Sequence, residues 1–599
     1  MNANATANPD GENIWRYKLL GIFFVALAVL IVVQVIRIQF GTDAKVLREN
    51  GNSLGTEIRT ISAARGQIYD RWGHILAGNT TVYELGADLQ NVRNPETIAL
   101  TLVGVLHSNY ADVFAAASKK YSGDSNNPVM YAPLADYVTP EQKDAIQKIS
   151  ADLESQNPAP DKNGKVPSLN GIVFTPHLMR SYPEKDLASN VLGFVNRQGE
   201  GFFGVEEKFN DLLAGTSVKV ETSLDPNQVG ETPKVPKGAS LVLTIDRQIQ
   251  ASMEAVLDKG VKNSGADGGA LLVMDPRTGE ILAMAVTPRL DLNQYWKYSD
   301  IYPGSTPFNR AVSQAYETGS VYKVLTMAAA LDNGTVTPDT PFLDTGVFEI
   351  GGIEIHNWDN AAWGPQTMLG CMEHSLNVCL AWVASQLGPT SFYKYMQAFG
   401  IGHLTGIDLG GEVPGRLKHP GDADWYDADL GTNAFGQGVS ATTVQMLMAI
   451  SAIANDGKMV TPHVVRSLID NGRQYNTPIQ IAGMPISAET AHTESEMLAQ
   501  SLELESSNAL VDGYRVSGKT GTAEIPTPYG YTSGMTNASF VGWGPTDDPK
   551  FLVYVWLEKP RTSIWGSIVA SPIFKEAVDQ LVILMNIPPD NVRKELTAQ

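Results

Sequence analysis

The run from Leu19 to Ile36, LLGIFFVALAVLIVVQVI, is apolar except for Gln34, and a stretch of that length forms a helix able to cross a bilayer. Arg16 and Lys18 precede it and Arg37 follows it. The flanking charge bias is therefore shallow, and orientation is read from the bulk of the chain lying C-terminal to the span. A cleavable signal peptide is the competing reading. It needs a shorter apolar core and a small-x-small site directly after it, whereas Ile36-Arg37-Ile38-Gln39-Phe40 follows here. The expectation is a single uncleaved anchor at 16–39, a polar, Asn-rich cytoplasmic tail at 1–15 that is disordered, and a large extracytoplasmic remainder.

Within that remainder, three short patterns occur in order: Ser320-Val-Tyr-Lys323, Ser375-Leu-Asn377 and Lys519-Thr520-Gly521-Thr522. A serine hydroxyl is a poor nucleophile at neutral pH and needs a neighbour to take its proton. On a helix, positions i and i+3 share a face, so Lys323 can reach Ser320. It could act as a base only when neutral, and burial together with a second cation such as Lys519 would favour that form. Each pattern alone is weak, because a serine three residues before a lysine recurs by chance in a chain of 599 residues.

Two decoys compete. Ser506-Ser507-Asn508 has the form of the middle pattern, but it lies just before Lys519 in what reads as a helix, so Ser375 and Asn377 are preferred. Gly513-Tyr-Arg-Val-Ser-Gly518-Lys519-Thr520 satisfies the phosphate-loop pattern G-x-x-x-x-G-K-[ST]. That motif works only between a buried strand and the start of a helix. Here Thr493 to Leu510 reads as helix, and Pro526, Pro528 and Gly530 soon follow Thr520, which opposes a helix there.

A net charge of −20 with no basic tract argues against nucleic-acid binding. Nine histidines form no cluster with metal-ligand spacing, so neither a metal nor another cofactor is expected. Cys371 and Cys379 fall in a probable helix, which would set them about 12 Å apart along its axis, too far for a disulfide. They are read as buried small apolar residues. Residues 118–168 turn polar and rich in Pro and Asn, with a helix from Pro140 to Glu154, and are read as a surface insertion. Tyr69-Asp-Arg-Trp-Gly-His74 reads as a structural turn between short strands, and Glu221 to Lys237 as a linker. Ser240 to Asp246 is an alternating strand, a helix begins at Gln248, and Gly268 to Ala285 is a hairpin turning at Asp275 to Gly279. Helices from Ser320 to about Asp456 and strands from Ala538 to Leu557 complete a sheet with a helical subdomain attached.

On these phrases the chain resembles the penicillin-binding proteins, specifically the monofunctional class B transpeptidases. S-x-x-K, S-x-N and K-T-G in this order are their set, with Leu376 where aspartate is common elsewhere. Arg65-Gly66-Gln-Ile-Tyr69-Asp70-Arg71 and Gly201-Phe-Phe-Gly204-Val-Glu206-Glu207 look like phrases of their membrane-proximal pedestal. Thr278 to Ala283 is similar to their first catalytic hairpin. Asn309-Arg310 through Tyr316-Glu317-Thr318-Gly319 resembles the lead-in to their nucleophile, with Thr318 where proline is common; Phe435-Gly-Gln-Gly438 and Ala538 to Gly542 also match.

The resemblance implies an α+β, membrane-anchored protein: an elongated pedestal domain at 40–237, then a transpeptidase domain at 238–599 with an antiparallel sheet flanked by helices and an all-helical subdomain. It implies that Ser320 attacks the penultimate D-alanine carbonyl of a peptidoglycan stem peptide while Lys323 takes its proton. Ser375 would relay a proton to the leaving amine, and Asn377 would hold the substrate amide and Lys323. Lys519, Thr520, Gly521 and Thr522 would bind the terminal carboxylate, and the N–H groups of Ser320 and Thr522 would stabilise the oxyanion. β-Lactam antibiotics would acylate Ser320, and a membrane-embedded glycan polymerase would be a partner. A division role is preferred to an elongation role. A β-lactamase, a D,D-carboxypeptidase, a bifunctional enzyme with a glycosyltransferase, and a non-enzymatic β-lactam sensor or scaffold are the alternatives.

Overall fold

A computed structural model describes residues 14–40, 56–61, 63–122, 129–156, 166–223, 235–527 and 530–597. The chain divides into two units, one made of 1–63 with 216–236 and the other of 64–215 with 237–599. The first holds the helix Ile14–Phe40 and an antiparallel pair, Thr56–Ile61 with Val218–Ser223. Its stretch Trp15–Arg37 has a mean hydropathy of 3.1 and is not buried against protein, as a helix long and apolar enough to cross a membrane should be. The tail at 1–13 and residues 224–234 of the expected linker lie outside the described residues, and the linker's first residues belong to strand Val218–Ser223.

In the second unit, a five-stranded antiparallel sheet runs in the order Ile281–Thr287, Gly268–Met274, Phe551–Glu558, Gly530–Gly544, Ser517–Thr527. The first two form the expected hairpin, closed where the Gly279 N–H donates to the Asp275 carbonyl at 2.9 Å. Gly268–Met274 is buried along its whole length because both faces of the sheet are covered. Successive side chains point to opposite faces. Leu271, Val273, Val553 and Val555 pack with Met253 and Leu257 of helix Arg247–Ser264 and with Phe574 and Val578 of helix Ser571–Leu584. Leu272, Met274, Tyr554 and Trp556 join the other core, with Val321, Leu325 and the helical middle of the chain. Burying each of these large side chains contributes about 1.5–3 kcal/mol, so the sheet is a rigid wall for whatever sits at its edge. That middle is not helical throughout: two antiparallel ribbons, Pro341–Asp344 with Gly364–Thr367 and Val347–Ile350 with Ile353–His356, are set among the helices.

A second, seven-stranded sheet has the order Arg473–Asn476, Val465–Asp470, Ser240–Leu243, Ile68–Tyr69, Ile75–Asp88, Tyr131–Val138, with Ile172–Ser181 also paired to Ile75–Asp88. The expected surface insertion at 118–168 needs correction. Tyr131–Val138 is a strand of this sheet, with Pro133 opposite Gly86, and Ile146 of helix Pro140–Gln156 is fully buried beside Leu85 and Ile98. Its polar composition reflects a strand and a helix that each bury one narrow face. Residues 123–128 and 157–165 of the segment lie outside the described residues. The turn after Tyr69 is present: buried Asp70 accepts from the N–H groups of Trp72 at 2.9 Å and His74 at 2.8 Å. Arg71 then pairs with Glu280 at 3.1 Å, tying this turn to the catalytic-side hairpin.

Candidate active site

Ser320 sits in a tight turn, Gly319–Tyr322, that runs directly into helix Lys323–Asp332. Gly319 has φ +59°, and a Cβ on it would lie 2.7 Å from the Thr522 carbonyl oxygen. Only glycine therefore lets the turn press against the edge strand Ser517–Thr527. Val321, Tyr322, Val324 and Leu325 are all buried, which fixes where Ser320 points.

Lys323 is fully buried, and its Nζ donates to the Ser375 carbonyl at 2.5 Å and to Ser375 Oγ at 3.1 Å. Among the described residues no hydrogen bond joins it to Ser320, so the expected Ser320–Lys323 pairing is not made in this resting geometry. Burial holds the Lys323 ammonium well below its ordinary range, and the charge of Lys519 adds to the effect. Lys323 is also the first residue of its helix, where the positive end of the dipole disfavours a cation. Each of these effects favours the neutral amine, the form that can accept a proton.

Ser375 lies between helices Met368–Glu373 and Asn377–Leu387, with φ +52°. The chain thus breaks where a single helix was expected, and this overturns the reading of the cysteines. Cys371 and Cys379 are disulfide-bonded with Cα atoms 6.1 Å apart, because the chain bends at the left-handed Ser375 between the two helices. The Leu376 N–H donates to the Cys371 carbonyl at 3.0 Å across the same bend. The disulfide closes a short loop that contains both Ser375 and Asn377. Replacing both cysteines by serine should cost about 2 kcal/mol of stability and slow acylation of Ser320. Chemical denaturation and acylation rates of the double variant check both effects, and unchanged acylation would show that the bend holds its shape without the bond. Asn377 donates from Nδ2 to the His356 carbonyl at 3.1 Å rather than to Lys323.

Lys519, Thr520, Gly521 and Thr522 lie on the strand Ser517–Thr527, the edge of the five-stranded sheet. This excludes the phosphate-loop reading, since Lys519 sits inside a strand and not at the start of a helix. Lys519 is buried, donates from Nζ to Thr520 Oγ1 at 3.2 Å, and is lowered to about 8 by burial, with Glu505 acting in the opposite direction. Thr522 Oγ1 accepts from the Gly566 N–H at 3.0 Å. The Ser506-Ser507-Asn508 decoy lies just past the helix Ala488–Leu504 and not inside it, and Asn508 is engaged with the Ser567 carbonyl at 3.1 Å.

Ser320, Ser375, Asn377, Thr520 and Thr522 line one cleft of about 390 Å³, with Lys323 and Lys519 buried beneath it. A serine, a buried amine able to be neutral, a second hydroxyl and a cation beside threonine hydroxyls can bind a carboxylate-ended peptide and transfer its acyl group. The cleft also has walls that the motifs do not announce. Trp358 and Trp565 meet edge to face with centroids 5.3 Å apart, and His374 stacks on Trp363 at 4.3 Å. Glu505 supplies a carboxylate. These residues come from separate loops, and only the proximity of Glu505 to the S-S-N decoy and to Lys519 in the sequence could have drawn attention to it. Among the described residues no group of His, Cys, Asp and Glu is arranged to hold a metal ion.

Residues 269–579 match the family model described as the penicillin binding protein transpeptidase domain, and residues 60–237 match the penicillin-binding protein dimerisation domain. Stage V sporulation protein D of Bacillus subtilis is 31% identical over 577 residues, covering 93% of this chain and 84% of that protein. Peptidoglycan D,D-transpeptidase FtsI of Escherichia coli is 27% identical over 592 residues, covering 96% and 93%. The crystal structure of penicillin binding protein 3 from Mycobacterium tuberculosis complexed with ampicillin is similar with a TM-score of 0.67 and 25% identity, covering 89% of this chain and 97% of that one.

Proposed function

The chain belongs to the penicillin-binding proteins and is a serine-type peptidoglycan D,D-transpeptidase, and from the geometry of its cleft we propose that Ser320 is the acylated nucleophile of septal wall crosslinking. The observation that carries this is the convergence of Ser320, Lys323, Ser375, Lys519, Thr520 and Thr522 on one cleft from three separate parts of the chain.

In this reading, Lys519, Thr520 and Thr522 hold the terminal carboxylate of a stem peptide, where an ammonium and hydroxyls suit a small anion. Neutral Lys323 takes the proton of Ser320 as its oxygen adds to the penultimate D-alanine carbonyl. The N–H groups of Ser320 and Thr522 face the oxyanion, the kind of preorganised donor pair that contributes most to acyl transfer. Lys323 then passes its proton through Ser375, to which it is already hydrogen-bonded, onto the departing D-alanine nitrogen. An amine from a second stem resolves the ester. β-Lactams enter by the same route and stop at the ester.

The helix Ile14–Phe40 would anchor the enzyme with its catalytic unit outside the cytoplasm and, together with the pedestal, meet a membrane-embedded glycan polymerase. The septal role is supported by the resemblance to FtsI over nearly the whole of both chains. After incubation with ampicillin, tryptic mapping should place one added drug mass on the peptide from Ala311 to Lys323. With stem-peptide donors, a crosslinked product should form only when an acceptor amine is supplied. Drug mass on another peptide would refute the assignment of Ser320, and D-alanine release with no crosslink at any acceptor concentration would make the enzyme a carboxypeptidase. Depletion in the native cell should give filaments; rounded cells would place it in elongation.

A further inference from the structure

Glu505 is the one carboxylate among the described residues that line the catalytic cleft. It caps the C-terminal end of helix Ala488–Leu504, and its own N–H donates to the Ser501 carbonyl at 3.1 Å. The next residue, Ser506, turns the chain away with φ +50°. The last-turn carbonyls of Ser501, Leu502 and Glu503 are taken up by the main-chain N–H groups of Glu505, Ser507 and Ser506, so the carboxylate is the anionic group that this helix end presents to the cleft. No lysine, arginine or histidine forms an ion pair with Glu505 among the described residues, and its carboxylate accepts no hydrogen bond there. The side chain is exposed to the cleft, so a cation carried by a bound molecule can reach it.

The position of Glu505 relative to Lys519 decides what that cation is. Lys519 and Glu505 interact electrostatically, and the charge of Glu373 also acts on Glu505. If Lys519, Thr520 and Thr522 hold the donor's terminal carboxylate, the departing D-alanine lies at the Lys519 end of the cleft. The incoming amine must approach the ester carbonyl from where the D-alanine nitrogen left, because deacylation by an amine retraces acylation through the same tetrahedral geometry. The acceptor therefore enters on the side that carries Glu505. We propose that Glu505 binds the acceptor stem's amine as an ammonium ion and so favours aminolysis of the acyl-enzyme over its hydrolysis. This rests on the transpeptidase reading above and adds a specificity-determining residue to it.

The step balances as follows. The bound ammonium gives one proton to solvent, the free amine nitrogen adds to the ester carbonyl carbon, and the bond from that carbon to Ser320 Oγ breaks. The second nitrogen-bound proton passes by way of Ser375 and Lys323 to Ser320 Oγ, leaving an amide and free enzyme.

The test uses the full-length protein in detergent with a D-alanyl thioester donor and two acceptors: D-alanine, an ammonium at neutral pH, and methoxyamine, which is uncharged there. The reading is the ratio of aminolysis to hydrolysis from one acyl-enzyme, so any change in acylation cancels. With D-alanine, Glu505→Gln should lower the ratio about tenfold, the loss of one charge-assisted contact, and Glu505→Asp should recover part of it. With methoxyamine the ratio should stay at the wild-type value. An unchanged ratio with D-alanine would overturn the proposal. So would an equal fall with both amines, which would mean that Glu505 only shapes the cleft, and so would a raised donor KM at constant ratio, which would assign the ammonium to the donor. A wild-type enzyme that forms no acyl-enzyme from the thioester would instead overturn the transpeptidase reading itself.

Discussion

Replacing Lys323 by methionine should slow acylation of Ser320 by a fluorescent penicillin about 10²–10⁴-fold, the range a general base contributes, and Ser320→Ala should leave no covalent label. The Lys323 side chain is fully buried, and among the described residues its amine is hydrogen-bonded only to Ser375. Methionine has nearly the same volume and removes a buried ionisable group, so the variant should fold at least as stably as wild type. A lost rate can then be assigned to the missing base. A rate within threefold of wild type would mean that another group deprotonates Ser320. The pH dependence gives a second check. Lys323 works as the free base, and burial with the neighbouring Lys519 depresses its pKa. Acylation should therefore rise with pH as Lys323 loses its proton. Lys519 must keep its proton to hold the drug's carboxylate, and burial lowers it to about 8, so the rate should fall again above roughly that pH. The two lysines feel each other's charge, so the limbs belong to the pair. Lys519→Arg should move the alkaline limb upward, because guanidinium does not deprotonate in that range.

What could be read from the sequence follows the range of the signal. The apolar N-terminal helix, the Gly268 to Ala285 hairpin and the helix after Asp246 rest on local composition and periodicity, and the structure has those elements there. The serine–lysine pair and Lys519 to Thr522 were legible as motifs, and their convergence on one cleft required the tertiary fold. The disulfide was missed because Cys371 to Cys379 has helical composition throughout. Nothing local signals that Ser375 adopts a left-handed conformation, and that one residue decides whether the cysteines can meet. The strand Tyr131–Val138 was missed because its pairing partner, Ile75–Asp88, lies far away in the sequence and Pro133 argues against a strand. Trp358, Trp565 and Glu505 have no pattern at all; they become neighbours only because three loops end at the same rim.

Glu206→Ala should destabilise the catalytic unit by about 3–5 kcal/mol, the cost of leaving buried charge without its partner. Two phrases that looked alike only as family signatures meet here. Arg65, from the first, donates from Nε to Glu206 Oε2 at 2.7 Å, and Glu206 belongs to the second, 141 residues later. Arg180 donates from Nε to the other carboxylate oxygen at 2.6 Å, and the Tyr182 hydroxyl to the same oxygen at 3.4 Å. All four residues are buried, with Glu206 at 0% exposure. The guanidiniums are held further by main-chain oxygens: Arg65 by Gly199 at 3.2 Å and Glu206 at 3.0 Å, Arg180 by Gly66 at 2.7 Å. They cannot swing out to water when the carboxylate is removed, so two cations would remain buried side by side. The charge, and not the volume, carries the effect, so Glu206→Gln should lose most of the same stability although it keeps the shape. Urea unfolding followed by tryptophan fluorescence measures both variants. A Glu206→Gln protein as stable as wild type would show that packing and not the ion cluster joins Arg65, Arg180 and Glu206.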